Sequence, residues 1–326
     1  MAITVCKETF DSIENEWVNI LSRCPANTIF ITPWWQRLWW EHFGADAELH
    51  ILSVRDDGEL IGIAPMMVSN GVLSFLGDTD LFDYHDFLVP EGKEDAFYNA
   101  ICEHFAAMDS WSALTLKSLR ESSPTLERLP LLARSKGYTA EIEQEDVSPK
   151  LDLPASWDEY VSSLSKKERH ELRRKLRRLE AADHATQYAC DDPETLACNM
   201  ADFFKLLRAS SPEKDEFMIP AREKFFVELA QDLARRGIFK LYFLEVEQKR
   251  VASCICFDYG DTYLLYNSGY DPEYSRLSVG LLNKALTLKQ AIDEGKRSYD
   301  FLRGTERYKY DLGATNQIVH QMTIRR

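Results

Sequence analysis

One order of secondary-structure elements occurs twice along this chain. Apolar runs of period two between turn residues predict strands, and runs of period 3.6 predict helices. In the first half, LHILSVRDDGELIGIAPMMVSNGVLSFLG reads as a meander with turns at DDG and SNG, and YHDFLV reads as a further strand. A helix over 94–108, a strand over 113–119, a helix over 124–136 and a last strand pair around 138–153 follow. In the second half, strands are expected at 239–247, 251–259 and 262–270, then a helix over 279–294 and a strand over 298–302. A short helix near 306–312 and a final strand over 317–325 close the chain. Both halves run strand, strand, strand, helix, strand, helix, strand, an internal repeat without evident sequence identity. This order predicts an α/β (α+β) fold with a mostly antiparallel sheet in each half. The expected domains are 1–153 and 154–326, meeting along a cleft where a small molecule would bind.

The remaining segments extend this plan. A strand over 3–8 and a helix over 12–22 precede TPWWQRLWWEHFG, whose Trp34, Trp35, Leu38, Trp39 and Phe43 make an apolar helix face. Residues 157–236 read as a long helical stretch. At 326 residues and 45% hydrophobic content the chain fills two cores. Its net charge of −14 is one-sided: residues 1–150 hold 11 Lys/Arg against 25 Asp/Glu, and the rest is balanced at 28 and 28. An acidic total argues against DNA and anionic membrane as non-specific partners. Seven scattered cysteines without a CxxC pair support neither a disulfide scaffold nor a zinc knuckle, and no His/Cys/Asp cluster has metal-ligand spacing. The first 17 residues lack a basic, then apolar, leader pattern, and no run approaches the roughly 18 apolar residues of a membrane span. The expected location is the cytoplasm.

The segment 239–311 carries the chemistry. A strand ending in YNSGYDP leads into Arg276-Leu277-Ser278-Val279-Gly280 at a helix start, where free backbone N–H groups and a small residue suit a phosphate. Ser278 also fits a plain N-cap with no ligand. The acidic strand-to-helix junction VPEGKEDAF of the first half would repel a pyrophosphate, which assigns the donor to the second half.

Four stretches, TPWWQRLWWEHFG, LFDYHDFLVPEG, SLSKKERHELRRKLRRLE, and YNSGYDPEYSRLSVGLLNKAL followed by YDFLRGTERYKYDLG, together resemble the GNAT-fold acyltransferases of the CelD-like type, associated with cellulose and exopolysaccharide synthesis. These are related to Fem-type aminoacyl ligases. The resemblance spans nearly the whole chain and implies tandem GNAT-like domains that move an acyl group, usually from acyl-CoA, to an amine or hydroxyl. In the Fem branch the donor is an aminoacyl-tRNA. GNAT folds grip the CoA pyrophosphate with a Q/R-x-x-G-x-G/A loop; here Leu281-Leu282 stands where the second Gly/Ala belongs, a departure from the pattern.

Under this resemblance Asn267, Ser268, Arg276, Ser278, Val279 and Gly280 are the candidate cofactor-binding residues. Tyr308 and Lys309 match the family's Tyr-Lys pair, as acid for a leaving thiolate or as oxyanion partner, with Arg303 on the same strand face as Tyr299 and Phe301 toward the acceptor. The alternative is that Tyr308 caps the core and Lys309 is solvated. Asp83, His85 and Asp86 offer an imidazole between two carboxylates, with His85 or Asp83 as general base and Asp86 toward the acceptor, or else a structural histidine. Residues 166–178 carry eight Lys/Arg over a stripe of Leu164, Leu172, Leu176 and Leu179. Arg169, Arg173 and Arg177 recur every four residues, as a phosphate-binding row or as a solvated face. The expected acceptor is a small molecule or saccharide. The rivals are a tRNA-dependent ligase and a non-catalytic assembly protein that has kept the fold.

Overall fold

The repeated order is present in the computed structural model, which describes residues 2–109, 111–182 and 184–326. The elements are β1 (Ile3–Glu8), α1 (Phe10–Leu21), α2 (Pro33–Phe43), β2 (Glu48–Asp56), β3 (Glu59–Ser69), β4 (Val72–Phe75), α3 (Glu94–Ala107), β5 (Ala113–Arg120), α4 (Pro124–Ser135) and β6 (Thr139–Asp152). There follow α5 (Trp157–Ser163), α6 (Lys166–Glu180), β7 (Thr186–Cys190), α7 (Leu196–Ser210), α8 (Pro212–Phe217), α9 (Pro220–Arg235), β8 (Phe239–Val246), β9 (Lys249–Tyr259), β10 (Thr262–Tyr270), α10 (Val279–Asp293), β11 (Ser298–Asp300), α11 (Arg307–Asp311) and β12 (Thr315–Arg325). Among the described residues no helix is long and apolar enough to cross a membrane.

Contacts divide the chain into Met1–Val147 with Gln317–Arg326, and Ser148–Asn316. The first boundary falls inside β6, and the final strand leaves the second unit for the first. This differs from the expected 1–153 and 154–326. The reason is pairing: β12 runs antiparallel to β5, with Val319 opposite Arg120, while the end of β6 runs antiparallel to β11, with Asp152 opposite Ser298. The last strands of the two repeats are exchanged.

Within unit 1 the antiparallel meander β1-β2-β3-β4 is followed by β5, which pairs parallel to β4 after the α3 crossover. Unit 2 repeats the scheme: β7-β8-β9-β10 antiparallel, then β11 parallel to β10 after the α10 crossover. The β3 run LIGIAPMM and the β9 run VASCICF are buried almost throughout, because helices cover both faces of these central strands. Each unit has its own core. Phe87, Phe97, Ile101, Leu114 and Leu116 belong to the first; Leu282, Leu288, Tyr263 and Tyr299 belong to the second.

Several local expectations change. YHDFLV is not a strand: only Leu88 bridges to Ile63, and the His85 N–H goes to the Ser118 carbonyl at 3.0 Å. Residues 138–153 hold one 14-residue strand rather than a pair. The stretch 157–236 contains the short strand β7 as well as helices. In α2 the fully buried face is Trp35, Gln36 and Trp39, with Trp34, Leu38 and Phe43 half-buried.

Candidate functional site

In unit 2, β10 and β11 run side by side for three residues only, Thr262–Leu264 against Ser298–Asp300. The strand β10 then continues to Tyr270 while β11 stops, so among the described residues the β11 side of Leu265–Tyr270 has no strand partner. A bulge between Leu265 and Asn267 strengthens the parting. The result is a wedge with backbone polar groups along one wall. Gly269 lets the covering helix come close: a Cβ there would stand 2.3 Å from the Leu207 backbone nitrogen of α7.

The other wall is the loop from Phe301 to Glu306, and Lys309 builds it. Its ammonium, 1% exposed, donates to the carbonyls of Leu302 at 2.9 Å, Arg303 at 2.5 Å and Gly304 at 3.2 Å, and lies 3.0 Å from the Glu306 carboxylate. Leu302 and Gly304 both have positive φ, 58° and 108°, and a Cβ at Gly304 would collide with that carboxylate at 2.4 Å. The Asp300 carboxylate accepts the Leu302 N–H at 2.8 Å. Lys309 is therefore neither solvated nor free to meet an oxyanion, since its three protons already serve the loop. The alternation expected to place Arg303 beside Tyr299 and Phe301 stops where β11 ends at Asp300, and Arg303 lies half-buried in the loop.

Tyr308 does face this region. It is half-buried, its ring meets Phe301 edge-on at 6.3 Å, and among the described residues no group bonds its hydroxyl. Burial, then the Glu306 carboxylate, raises its pKa well above the ordinary phenol value, so the hydroxyl stays protonated. Asn267 and Ser268 lie on the part of β10 that pairs with β9 but runs beyond β11, with the Asn267 amide oxygen accepting the Ser268 N–H at 2.8 Å.

The start of α10 departs from a simple cap. Ser278 is left-handed, with φ 58° and ψ 34°, and its side chain makes no capping bond. Its carbonyl takes the Leu282 N–H, so the N–H groups of Val279, Gly280 and Leu281 have no acceptor inside the helix. Gly280 sits 3.0 Å, measured from a built Cβ, from the Tyr270 ring and allows that contact. Arg276 is exposed, and its carbonyl accepts from the Arg178 guanidinium of α6 at 2.7 Å. Beside this helix start, Lys167, Glu171, Lys175, Leu281, Arg307 and Asp311 help to line a cavity of about 280 Å³. On α6, Arg169 bonds the Ser162 carbonyl at 2.9 Å, whereas Arg173 and Arg177 are exposed.

Two lysines were absent from the sequence reading. Lys284 is 7% exposed, on the buried side of α10; its ammonium donates to the Gly280 carbonyl at 3.1 Å and lies over the Tyr308 ring, 4.5 Å from the centroid. Burial, then the nearby Lys214 ammonium, lowers its pKa to about 8. Lys214 of α8 is half-buried, bonds the Ser268 carbonyl and has its own pKa lowered by burial. The available signal was the run LLNKALTLKQ, where Lys284 stands among residues with the burial pattern of a central helix.

The unit 1 candidates separate. His85 is buried and stacked between Phe75 and Phe82, at 5.6 and 4.6 Å, instead of lying between two carboxylates. It lines a cavity of about 280 Å³ with Ser74, Asp78, Thr79, Thr115 and Lys117. Asp83 is half-buried. Asp86 is buried and spent: it accepts from the Thr125 hydroxyl at 2.6 Å and the Phe87 N–H at 2.9 Å, and Thr125 also meets the Tyr98 hydroxyl at 2.8 Å. It fastens α3 and α4 to the 83–88 segment, and its burial takes it away from an acceptor. Burial raises its pKa against the pull of these bonds.

Residues 166–310 match the family model of the acetyltransferase (GNAT) domain. This segment is similar to a GNAT domain. Lys214, Asn267, Ser268, Lys284, Tyr308 and Lys309 all fall inside it. Solved structures extend the likeness to nearly the full length. FemX is similar at TM-score 0.66 and 11% identity, over 98% of this chain and 96% of that one. A tandem GNAT protein from the clavulanic acid biosynthesis pathway is similar at TM-score 0.52 and 12% identity, over 98% of both chains. L-PGS from Bacillus licheniformis is similar at TM-score 0.57 and 10% identity, over 94% of this chain and 90% of that one. At such identities the likeness is one of fold, and the fold is GNAT-type, mixed α/β with a mostly antiparallel sheet flanked by helices. No curated protein sequence matches significantly.

Proposed function

We propose that the chain is an acyltransferase that moves an acyl group from acyl-CoA to an amine or hydroxyl of a small-molecule or saccharide acceptor, with the donor held by the GNAT domain. The observation that carries this reading is the wedge: β10 leaves β11 after Leu264 immediately before the helix start at Val279. An acyl thioester laid along Leu265–Tyr270 would direct its carbonyl to backbone N–H groups on the β11 side of β10, and its phosphates to the leading N–H groups of α10 and the lysines of α6.

Attack by the acceptor nitrogen or oxygen on the thioester carbon forms the new C–N or C–O bond and breaks C–S. The acceptor loses one proton and the departing thiolate gains one. Tyr308 is the acid we assign to the thiolate, because its hydroxyl is protonated and otherwise unbonded. Lys309 holds the loop that faces it. Alignment of two bound reactants supplies much of the rate. The CelD-like resemblance points the acceptor toward exopolysaccharide or cell-envelope saccharides.

A tRNA-dependent ligase is the second reading, favoured by the exposed Arg173 and Arg177 on α6 and by the fold likeness to FemX. Thermal shift against acetyl-CoA, longer acyl-CoAs and bulk tRNA separates the two. Stabilisation by CoA esters supports the first; stabilisation by tRNA alone overturns it.

A further inference from the structure

Three lysine ammonium groups of the GNAT-like segment gather near one carboxylate. Lys214, Lys284 and Lys309 act on one another electrostatically, and the carboxylate acting on all three is Glu306. Glu306 is already paired with Lys309 at 3.0 Å and is largely exposed. Lys309 spends its protons on loop carbonyls. Among the described residues Lys284 has one acceptor, the Gly280 carbonyl, for three N–H bonds, and it also lies near the Tyr308 ring and the Cys254 thiol. Lys214 reaches the Ser268 carbonyl on the part of β10 that runs beyond β11. Buried ammonium groups normally have an anion or a full set of acceptors. Here two lysines from different helices, α8 and α10, converge beside the wedge with neither.

We propose that Lys214 and Lys284 together bind a carboxylate, carried either by the acyl group of the donor or by the acceptor. The inference rests on the reading of the wedge as a donor site. A carboxylate accepts from both ammonium groups and neutralises their charge, which an uncharged acetyl group does not. It would also relieve the repulsion between them. The site thereby selects a dicarboxylic acyl group over a plain one, or an amino-acid-type acceptor over a plain amine.

Stable thioethers supply the test. Titration calorimetry would compare S-ethyl-CoA with S-(2-carboxyethyl)-CoA on the wild type and on the Lys214→Met and Lys284→Met variants. A second series would titrate glycine, L-alanine and ethylamine into each protein saturated with S-ethyl-CoA. The expected result is a carboxylate preference of about tenfold or more in one of the two series, lost in both variants while S-ethyl-CoA binding is kept. A preference in the first series assigns the carboxylate to the donor, and one in the second assigns it to the acceptor. If S-ethyl-CoA binds but neither series shows a preference, this inference is overturned and the donor reading stands; if no CoA thioether binds, both fall. Melting curves of the two variants verify that they are folded, and a preference that survives in a folded variant also overturns the proposal.

Discussion

The ammonium of Lys284 lies 4.5 Å from the centre of the Tyr308 ring, so a core position of α10 and a residue of the short helix α11, 24 places later, share one pocket. A charge in such a place opposes folding. Between about 8, the folded pKa, and 10.5, the ordinary value, the unfolded chain holds a proton that the folded chain has lost. Stability attributable to Lys284 therefore rises with pH through that window and is lowest below it.

The first prediction concerns Lys284→Met. Removal of the buried charge relieves a penalty on the order of 3 kcal/mol below pH 8, offset by whatever the Gly280 contact contributed. The variant is expected to melt at or above the wild type at pH 7, with the gap closing toward pH 10.5. Acid-to-alkaline melting curves of both proteins check this; a variant less stable than the wild type at pH 7 would contradict it. A stabilising change at a site that harms activity is the usual mark of a functional charge.

The second prediction concerns Lys309→Met. Three carbonyls and one carboxylate would lose their donor, and two positive-φ residues would lose the tie that holds them. The expected cost is about 2–4 kcal/mol, a fall in melting temperature of about 5–10 °C. An unchanged melting temperature would show that the loop does not depend on this lysine.

Lys309 also marks where the sequence was legible and where it was not. The meander, the α10 crossover and the segment holding the wedge were readable because each is encoded by local periodicity. What Lys309 does was not, because a lysine folded back onto its own loop and a lysine facing a ligand have the same flanking residues. Asp86 was misread for the same reason: its partners Thr125 and Tyr98 lie far off in sequence. The exchange of the last strands is a matter of long-range pairing, invisible to any window. Lys284 was hidden by its position inside a helix otherwise read as core. Tyr308, Asn267 and Ser268 could be named as candidates because they flank the turn and loop that end β10 and β11.

The third prediction separates Asp86 from the chemistry. Asp86→Ala strips an acceptor from Thr125 and Phe87 and is expected to cost about 2 kcal/mol, with Asp86→Asn milder. Burial raises the Asp86 pKa above its ordinary 3.8, so its contribution is present in acid and is lost as pH rises through the folded value. Relative to wild type, Asp86→Asn should therefore gain ground as the pH climbs from about 4 to neutrality. Denaturant unfolding across that range is the measurement, and a relative stability independent of pH would refute the assignment.

The last prediction isolates Tyr308. Among the described residues no group bonds its hydroxyl, so Tyr308→Phe should change stability by less than about 1 kcal/mol. If the hydroxyl protonates the departing thiolate, turnover should fall about 100-fold or more while the KM for acyl-CoA stays near the wild-type value. The pH profile adds a sign. A phenol with a pKa held well above its ordinary value stays protonated across the neutral range, so it should impose no basic limb there. Release of free thiol, followed against pH with a panel of amine and saccharide acceptors, reads both quantities. Wild-type turnover in Tyr308→Phe would remove the residue from the mechanism while leaving the donor site intact, because binding depends on β10 and α10 rather than on this hydroxyl.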